Sequence, residues 1–116
     1  MCRAVWVIVA ASSEEDGKRL RKAVGLDCQV VAMTIGSDDL LHAIATGTKA
    51  DAIVIDGRMG NGEQLVAALR ERAPQIATVW VGEGTPGGAH HAIALNEQID
   101  DTLPGAITKA LIARRA

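Results

Sequence analysis

The chain has 116 residues, 48% of them hydrophobic and 22% charged, with a formal net charge of −2. That make-up fits one ordinary globular domain with a modest core, so residues 1–116 are read as a single unit. It holds two Trp but neither Tyr nor Phe, and its Lys and Arg are scattered, which leaves no stacking platform and no basic footprint for nucleic acid.

No segment approaches the roughly 18–20 apolar residues of a membrane span. The N-terminus enters a strand-like run without a charged leader, so neither a signal peptide nor a membrane partner is expected. Two cysteines, Cys2 and Cys28, are too few for a disulfide scaffold. Both begin strands that should be neighbours, and a bond between them is conceivable. Free thiols in a reducing cytoplasm are the expectation.

Arg3 to Ala10 is a continuous run rich in β-branched residues, as expected of a strand buried on both faces of a parallel sheet. Ser12 offers a helix cap, with Glu15 completing a capping box. The helix that follows carries Leu20 and Val24 inward and stops at Gly25. A second strand covers Cys28 to Met33. Ser37 is read as the cap of a second helix with Asp38 and Asp39 in its first turn, closed by Gly47.

A third strand, Ala52 to Ile55, ends in Asp56. Asn61 is read as the cap of the third helix, whose stripe is Leu65, Ala68 and Leu69, with Pro74 at its end. The fourth strand runs from Ile76 to Val81 and the fifth from about His91 to Leu95. Between them stands only a glycine-rich stretch, 82–88, too short for a full helix. The last helix is expected from about Thr102, with Pro104 in its first turn. Trp6 and Trp80 both read as core.

Strands alternating with helices predict an α/β fold, a parallel sheet covered on both faces with right-handed crossovers. Ligands of such sheets sit at the carboxyl ends of strands. Asp56 is the acid that this pattern delivers there, and it is the first candidate site residue.

The order of elements and the stretch Asp51-Ala52-Ile53-Val54-Ile55-Asp56-Gly57-Arg58-Met59 resemble the receiver domain of bacterial two-component response regulators. The resemblance implies a flavodoxin-like, CheY-like five-stranded sheet of order 2-1-3-4-5, here with the fourth helix missing. It also implies that Asp56 is equivalent to the aspartate phosphorylated by a histidine kinase.

The supporting residues of that family are absent. Where receivers carry an acidic pair for a divalent cation, this chain has Ala10 and Ala11, which offer no oxygen to Mg²⁺. Glu14, Glu15 and Asp16 lie further on and read as serving the helix dipole. The hydroxyl position after the fourth strand is Gly82. The position of the family's lysine falls at Glu97, whose charge has the wrong sign for an anion.

Other signals are weak. The glycine-rich stretch lacks the Lys-Ser/Thr ending of a phosphate loop. His90 and His91 are adjacent on an extended segment and point to opposite faces, so they are no metal pair, and His42 reads as a surface residue.

These readings converge on a receiver-like signalling module that is not an enzyme and needs no cofactor. It would work by protein–protein interaction with a histidine kinase or another signalling protein, or as a homodimer across a face left open around Trp80. No output domain lies within the 116 residues, so a separate partner is expected. One alternative is a phosphoacceptor using Asp56 and Mg²⁺ in a rebuilt site; a lesser one is a flavodoxin-like small-ligand binder. With Ala10 and Ala11 in place of two acids, the charge of Asp56 is expected to matter little to the fold.

Overall fold

The computed structural model describes residues 5–25, 28–59, 62–82, 89–94 and 98–114. In chain order its elements are β1 (Val5–Ala11), α1 (Glu14–Ala23), β2 (Cys28–Ile35), α2 (Ser37–Ala45), β3 (Ala52–Asp56), α3 (Gly62–Arg72), β4 (Ala77–Val81), β5 (His91–Ile93) and α4 (Ile99–Ala113). The five strands form one sheet in the order β2-β1-β3-β4-β5, and all four pairings are parallel. The strand order reverses beside β1, so the carboxyl ends of β1 and β3 share the crevice where such sheets place their chemistry.

β3 and β4 are buried along their whole length, which is why their sequences are unbroken apolar runs and not alternating ones. Val7, Val9, Val54, Val79 and Val81 face α1 and α4, where Leu20, Ile99, Leu103 and Ile107 close the core. Ile8, Ile53, Ile55 and Trp80 face the other way, against Leu40 of α2 and Leu65, Val66 and Leu69 of α3. Burying each such Leu or Ile contributes about 1.5–3 kcal/mol. Two layers of helices therefore hold the sheet without a Phe or a Tyr.

β2 is an edge strand, and Val31 and Ile35 on it are 36% and 41% exposed. Its register slips where Val7 pairs Val30 but Ile8 pairs Ala32, leaving Val31 as an extra residue. A bulge of this kind raises local twist and blunts an edge against foreign strands.

Three helix starts differ from the sequence reading. Ser13, not Ser12, is the N-cap of α1, its Oγ accepting the Asp16 N–H at 3.2 Å. Ser37 is the first residue of α2; Gly36, at φ 84°, takes the cap position, and Asp39 accepts the Ile35 N–H at 3.0 Å. The last helix begins at Ile99, pulled inward by that residue, which is 1% exposed. Pro104 consequently lies inside α4, where it packs on Gly25: a Cβ on that glycine would sit 3.3 Å from Pro104 Cγ.

No helix separates β4 from β5 among the described residues. The expectation of an open face around Trp80 fails, because Trp80 is only 5% exposed. Its indole lies against the backbone of Gly57, where a Cβ would come within 2.9 Å of Cζ2. Ala89 and Ala92 pack against the same core cluster.

Trp6 departs from expectation in the opposite direction. It is only half-buried and lines an open cavity of about 470 Å³ with Ile44, Lys49, Asp51 and Arg72. That position is the amino end of the sheet, beside the last turns of α2 and α3.

Cys28 begins β2 and is half-buried. Cys2, Asn61, residues 83–88 and Glu97 lie outside the described residues. No described helix is long and apolar enough to cross a membrane.

Candidate functional site

β3 carries four apolar residues into the core and ends on a carboxylate that is itself fully buried, Asp56 being 0% exposed. The chain must turn at once, because the Gly57 N–H donates to Val81 O at 2.7 Å and the Trp80 ring leaves no room for a side chain at 57. That turn sends Arg58 back over Asp56. The Arg58 backbone N–H donates to Asp56 Oδ1 at 2.9 Å, the local closure that Asp side chains favour in turns. Its guanidinium then grips the same carboxylate with Nε to Oδ1 at 3.1 Å and Nη2 to Oδ2 at 3.3 Å. This is a two-pronged arginine–carboxylate pair, the stronger class of ion pair.

The start of α1 closes the site from the other side. Asp16, in the first turn, meets Arg58 Nη2 at 2.8 Å. Ser12 Oγ stands 3.0 Å from Asp16 Oδ2 and 3.1 Å from Asp56 Oδ2, so one hydroxyl proton serves two acids. Ser13 Oγ donates to Asp16 Oδ2 at 3.0 Å. One guanidinium thus bridges two carboxylates that approach the same hydroxyl.

These contacts shift two titrating groups. Desolvation alone would raise the Asp16 carboxyl, but hydrogen bonds from Ser13 and Ser12 and the charge of Arg58 outweigh it and hold Asp16 below the usual range. Arg58 is pushed up, first by its hydrogen bond to Asp56, against desolvation, and further by the charges of Asp56 and Asp16. Arg58 stays about half exposed, its side chain at 46%, while Asp16 is at 24%.

Ala10 and Ala11 end β1, both at 0% exposure, and bring only methyl groups to the crevice. Ala10 packs in the layer beneath α2 and α3. Gly82, at φ 151°, has no room for a side chain: a Cβ would lie 3.1 Å from Gly57 Cα. The missing hydroxyl at this position is therefore built into the backbone path, which brings Gly82 and Gly57 together. Glu97, the fourth predicted departure from the receiver pattern, lies outside the described residues.

Sequence reasoning overlooked Arg58, Ser12 and Asp16 as site residues. Asp16 does sit in the first turn of α1, as the dipole argument requires, but its carboxylate also holds Arg58. A legible signal was the Asp56-Gly57-Arg58 order, since a tight turn after a strand folds the third side chain onto the first. The expectation that the charge of Asp56 matters little also falls. A fully buried carboxylate with three donors from Arg58 and two from Ser12 is part of a network.

The donor set does not fit the divalent cation that receiver sites employ. Such an ion needs several oxygen ligands, and the two acids present already share a guanidinium. Among the described residues no group of three His, Cys, Asp or Glu is placed to hold a metal.

A second polar contact marks the β4–β5 edge. His90 Nδ1 accepts the Thr78 N–H at 2.9 Å, and its Nε2 lies against the Arg70 guanidinium. Desolvation, then the charges of Arg70 and Arg114, hold the His90 pKa below its usual value. His90 is a strand-edge cap and not a metal ligand.

No family model and no curated protein matches the sequence. Solved structures do. The signal receiver domain of an HD domain-containing protein from Pseudomonas fluorescens Pf-5 superposes with a TM-score of 0.77 at 15% identity, covering 99% of this chain and 92% of that one. The response regulator domain of Thermotoga maritima CheB gives 0.74 at 18% identity, with 98% of each chain covered. The signal receiver domain of a putative response regulator NarL from Mycobacterium tuberculosis gives 0.71 at 20% identity over 96% of this chain and 95% of that one. The chain has the receiver-domain fold.

Proposed function

We propose that this chain is a receiver-like signalling module that acts by docking to another protein and not by accepting a phosphoryl group. The observation that carries the reading is the closure of Asp56, which is fully buried with both carboxylate oxygens engaged by Arg58. Phosphoryl transfer relies on positioning and on neutralising the charge of the transferring group. Ala10, Ala11 and Gly82 supply no oxygen ligand and no hydroxyl for that task.

A non-enzymatic role without a metal cofactor follows, with a cytoplasmic protein as partner, a histidine kinase or another signalling protein. Self-association through the Trp80 face loses its apolar basis, since Trp80 is covered within the chain. Incubation with acetyl phosphate and Mg²⁺ tests the reading by intact mass. The expected mass is unchanged. An adduct that forms on the parent protein and vanishes in Asp56→Asn would instead establish a phosphoacceptor in a rebuilt site.

A further inference from the structure

We propose that the Arg58 guanidinium is the built-in counter-cation of the Asp56 pocket, standing where a receiver-type site would take a divalent metal ion. The inference rests on the reading of the pocket given above and adds the device that keeps it closed.

Three features of the pocket carry it. First, one guanidinium reaches three carboxylate oxygens: Asp16 Oδ1 at 2.8 Å, Asp56 Oδ1 at 3.1 Å and Asp56 Oδ2 at 3.3 Å. Second, the two acids come close enough for a single hydroxyl, Ser12 Oγ, to stand within 3.0 and 3.1 Å of both. Without the guanidinium, two like charges would face each other across that oxygen, and a cation would be drawn in. Third, the arginine arrives by a route of only two residues from Asp56, pinned by its own backbone N–H on Asp56 Oδ1 at 2.9 Å. The charge is therefore supplied at high effective concentration and cannot diffuse away.

A metal ion and the guanidinium compete for the same oxygens. Mg²⁺ is a hard cation that dehydrates reluctantly and needs carboxylate oxygens. Ala10 and Ala11 add none, so nothing offsets the loss of the arginine pair. The same contacts tie the β3–α3 turn to the first turn of α1. The surface around the strand ends is thus held in one arrangement that neither metal nor its withdrawal can alter.

Thermal melts of the full chain with and without millimolar Mg²⁺ or Mn²⁺ test this. The parent protein is expected to show no metal-dependent change, because a ligand raises Tm only in proportion to its binding to the native state. Arg58→Gln, which keeps a polar side chain but removes the charge, is expected to gain a metal-dependent rise of several degrees that Arg58→Gln/Asp56→Asn loses. If Arg58→Gln does not fold alone, its far-ultraviolet circular dichroism should recover on adding Mg²⁺. Arg58→Lys, which keeps a cation, should fold and remain indifferent to metal.

A metal-dependent rise in the parent would overturn the inference. So would an Arg58→Gln variant that is folded yet indifferent to metal, or unfolded and not rescued, or an Arg58→Lys variant that gains metal dependence. The acetyl phosphate assay reads a different property. An Asp56 adduct with metal-indifferent melts would sink the docking reading and leave Arg58 as counter-cation. Metal binding by the parent without an adduct would do the reverse.

Discussion

Two buried polar side chains lie near the carboxyl ends of the strands that flank β1, and they have opposite fates. Asp56, ending β3, is 0% exposed and receives hydrogen bonds from Arg58 and Ser12. Thr34, one residue before the end of β2 and paired with Ala10, is 4% exposed, and its Oγ1 has no hydrogen-bond partner among the described residues. The difference teaches that burial alone does not decide the cost of a polar group. A satisfied network resists the loss of any member, whereas an orphaned hydroxyl costs about 1–3 kcal/mol in desolvation with nothing to offset it.

The comparison is broken most directly at Arg58. Arg58→Ala leaves the buried Asp56 carboxylate beside Asp16 with no cation. Removing one partner of a buried pair costs about 3–5 kcal/mol, and because Arg58 is half exposed we expect the lower end, about 3 kcal/mol. Urea unfolding monitored by circular dichroism measures it; a loss under about 1 kcal/mol, the range of ordinary surface changes, would reduce the network to a surface contact.

Asp56→Asn is expected to cost less, about 2 kcal/mol, since the stranded arginine keeps Asp16 and access to water while the amide stays partly hydrogen-bonded. The same urea titration checks it, and a neutral result would restore the view that the charge of Asp56 is idle.

At the other strand end the sign reverses. Thr34→Val removes the unpartnered hydroxyl while keeping the branched shape. It is expected to raise stability by about 1 kcal/mol, read as a higher urea midpoint at unchanged slope. A destabilised Thr34→Val would mean that the hydroxyl is satisfied in solution.

The smallest effect sharpens the comparison through pH. His90 is held neutral, with a folded pKa below its unfolded value of about 6.5 for the reasons of desolvation and the Arg70 and Arg114 charges. The unfolded chain then binds the proton first, so this contribution is present above about pH 6.5 and is lost as pH falls below it. Asp16 is also lowered, so its contribution persists through that window and fades only below its unfolded value of about 3.9. A modest fall in Tm between pH 7.5 and 5.5 is expected in the parent and should shrink in His90→Asn, which retains an acceptor for Thr78. Asp16→Asn should leave that fall intact. A decline equally steep in His90→Asn would assign it to another group.

Much of the fold was legible because it rests on local, periodic information. Unbroken apolar runs with no room for polar alternation announced β1, β3 and β4, and Gly25 and Gly47, at φ 93° and 90°, marked helix ends that other residues enter only with strain. Ala10, Ala11 and Gly82 could be read as departures by position alone. Helix starts were less legible. A stretch such as Ser12-Ser13-Glu14-Glu15-Asp16 offers two overlapping capping boxes, and the choice of Ser13 frees Ser12 to reach Asp56, a residue 44 positions away.

What the sequence determined by itself was the parallel α/β architecture, the delivery of Asp56 to the strand ends and the removal of its usual companions. Periodicity and residue chemistry suffice for these. Only the tertiary structure decided that Asp16 joins Arg58 across the crevice, that Ser12 reaches Asp56, and that Trp80 is covered within the chain while Trp6 stays half-buried. Those outcomes depend on which side chains meet once β1, β3 and β4 lie side by side, and on the close approach of Gly57 to Trp80 and Gly82. Such contacts are set by packing between distant segments, and no local pattern encodes them.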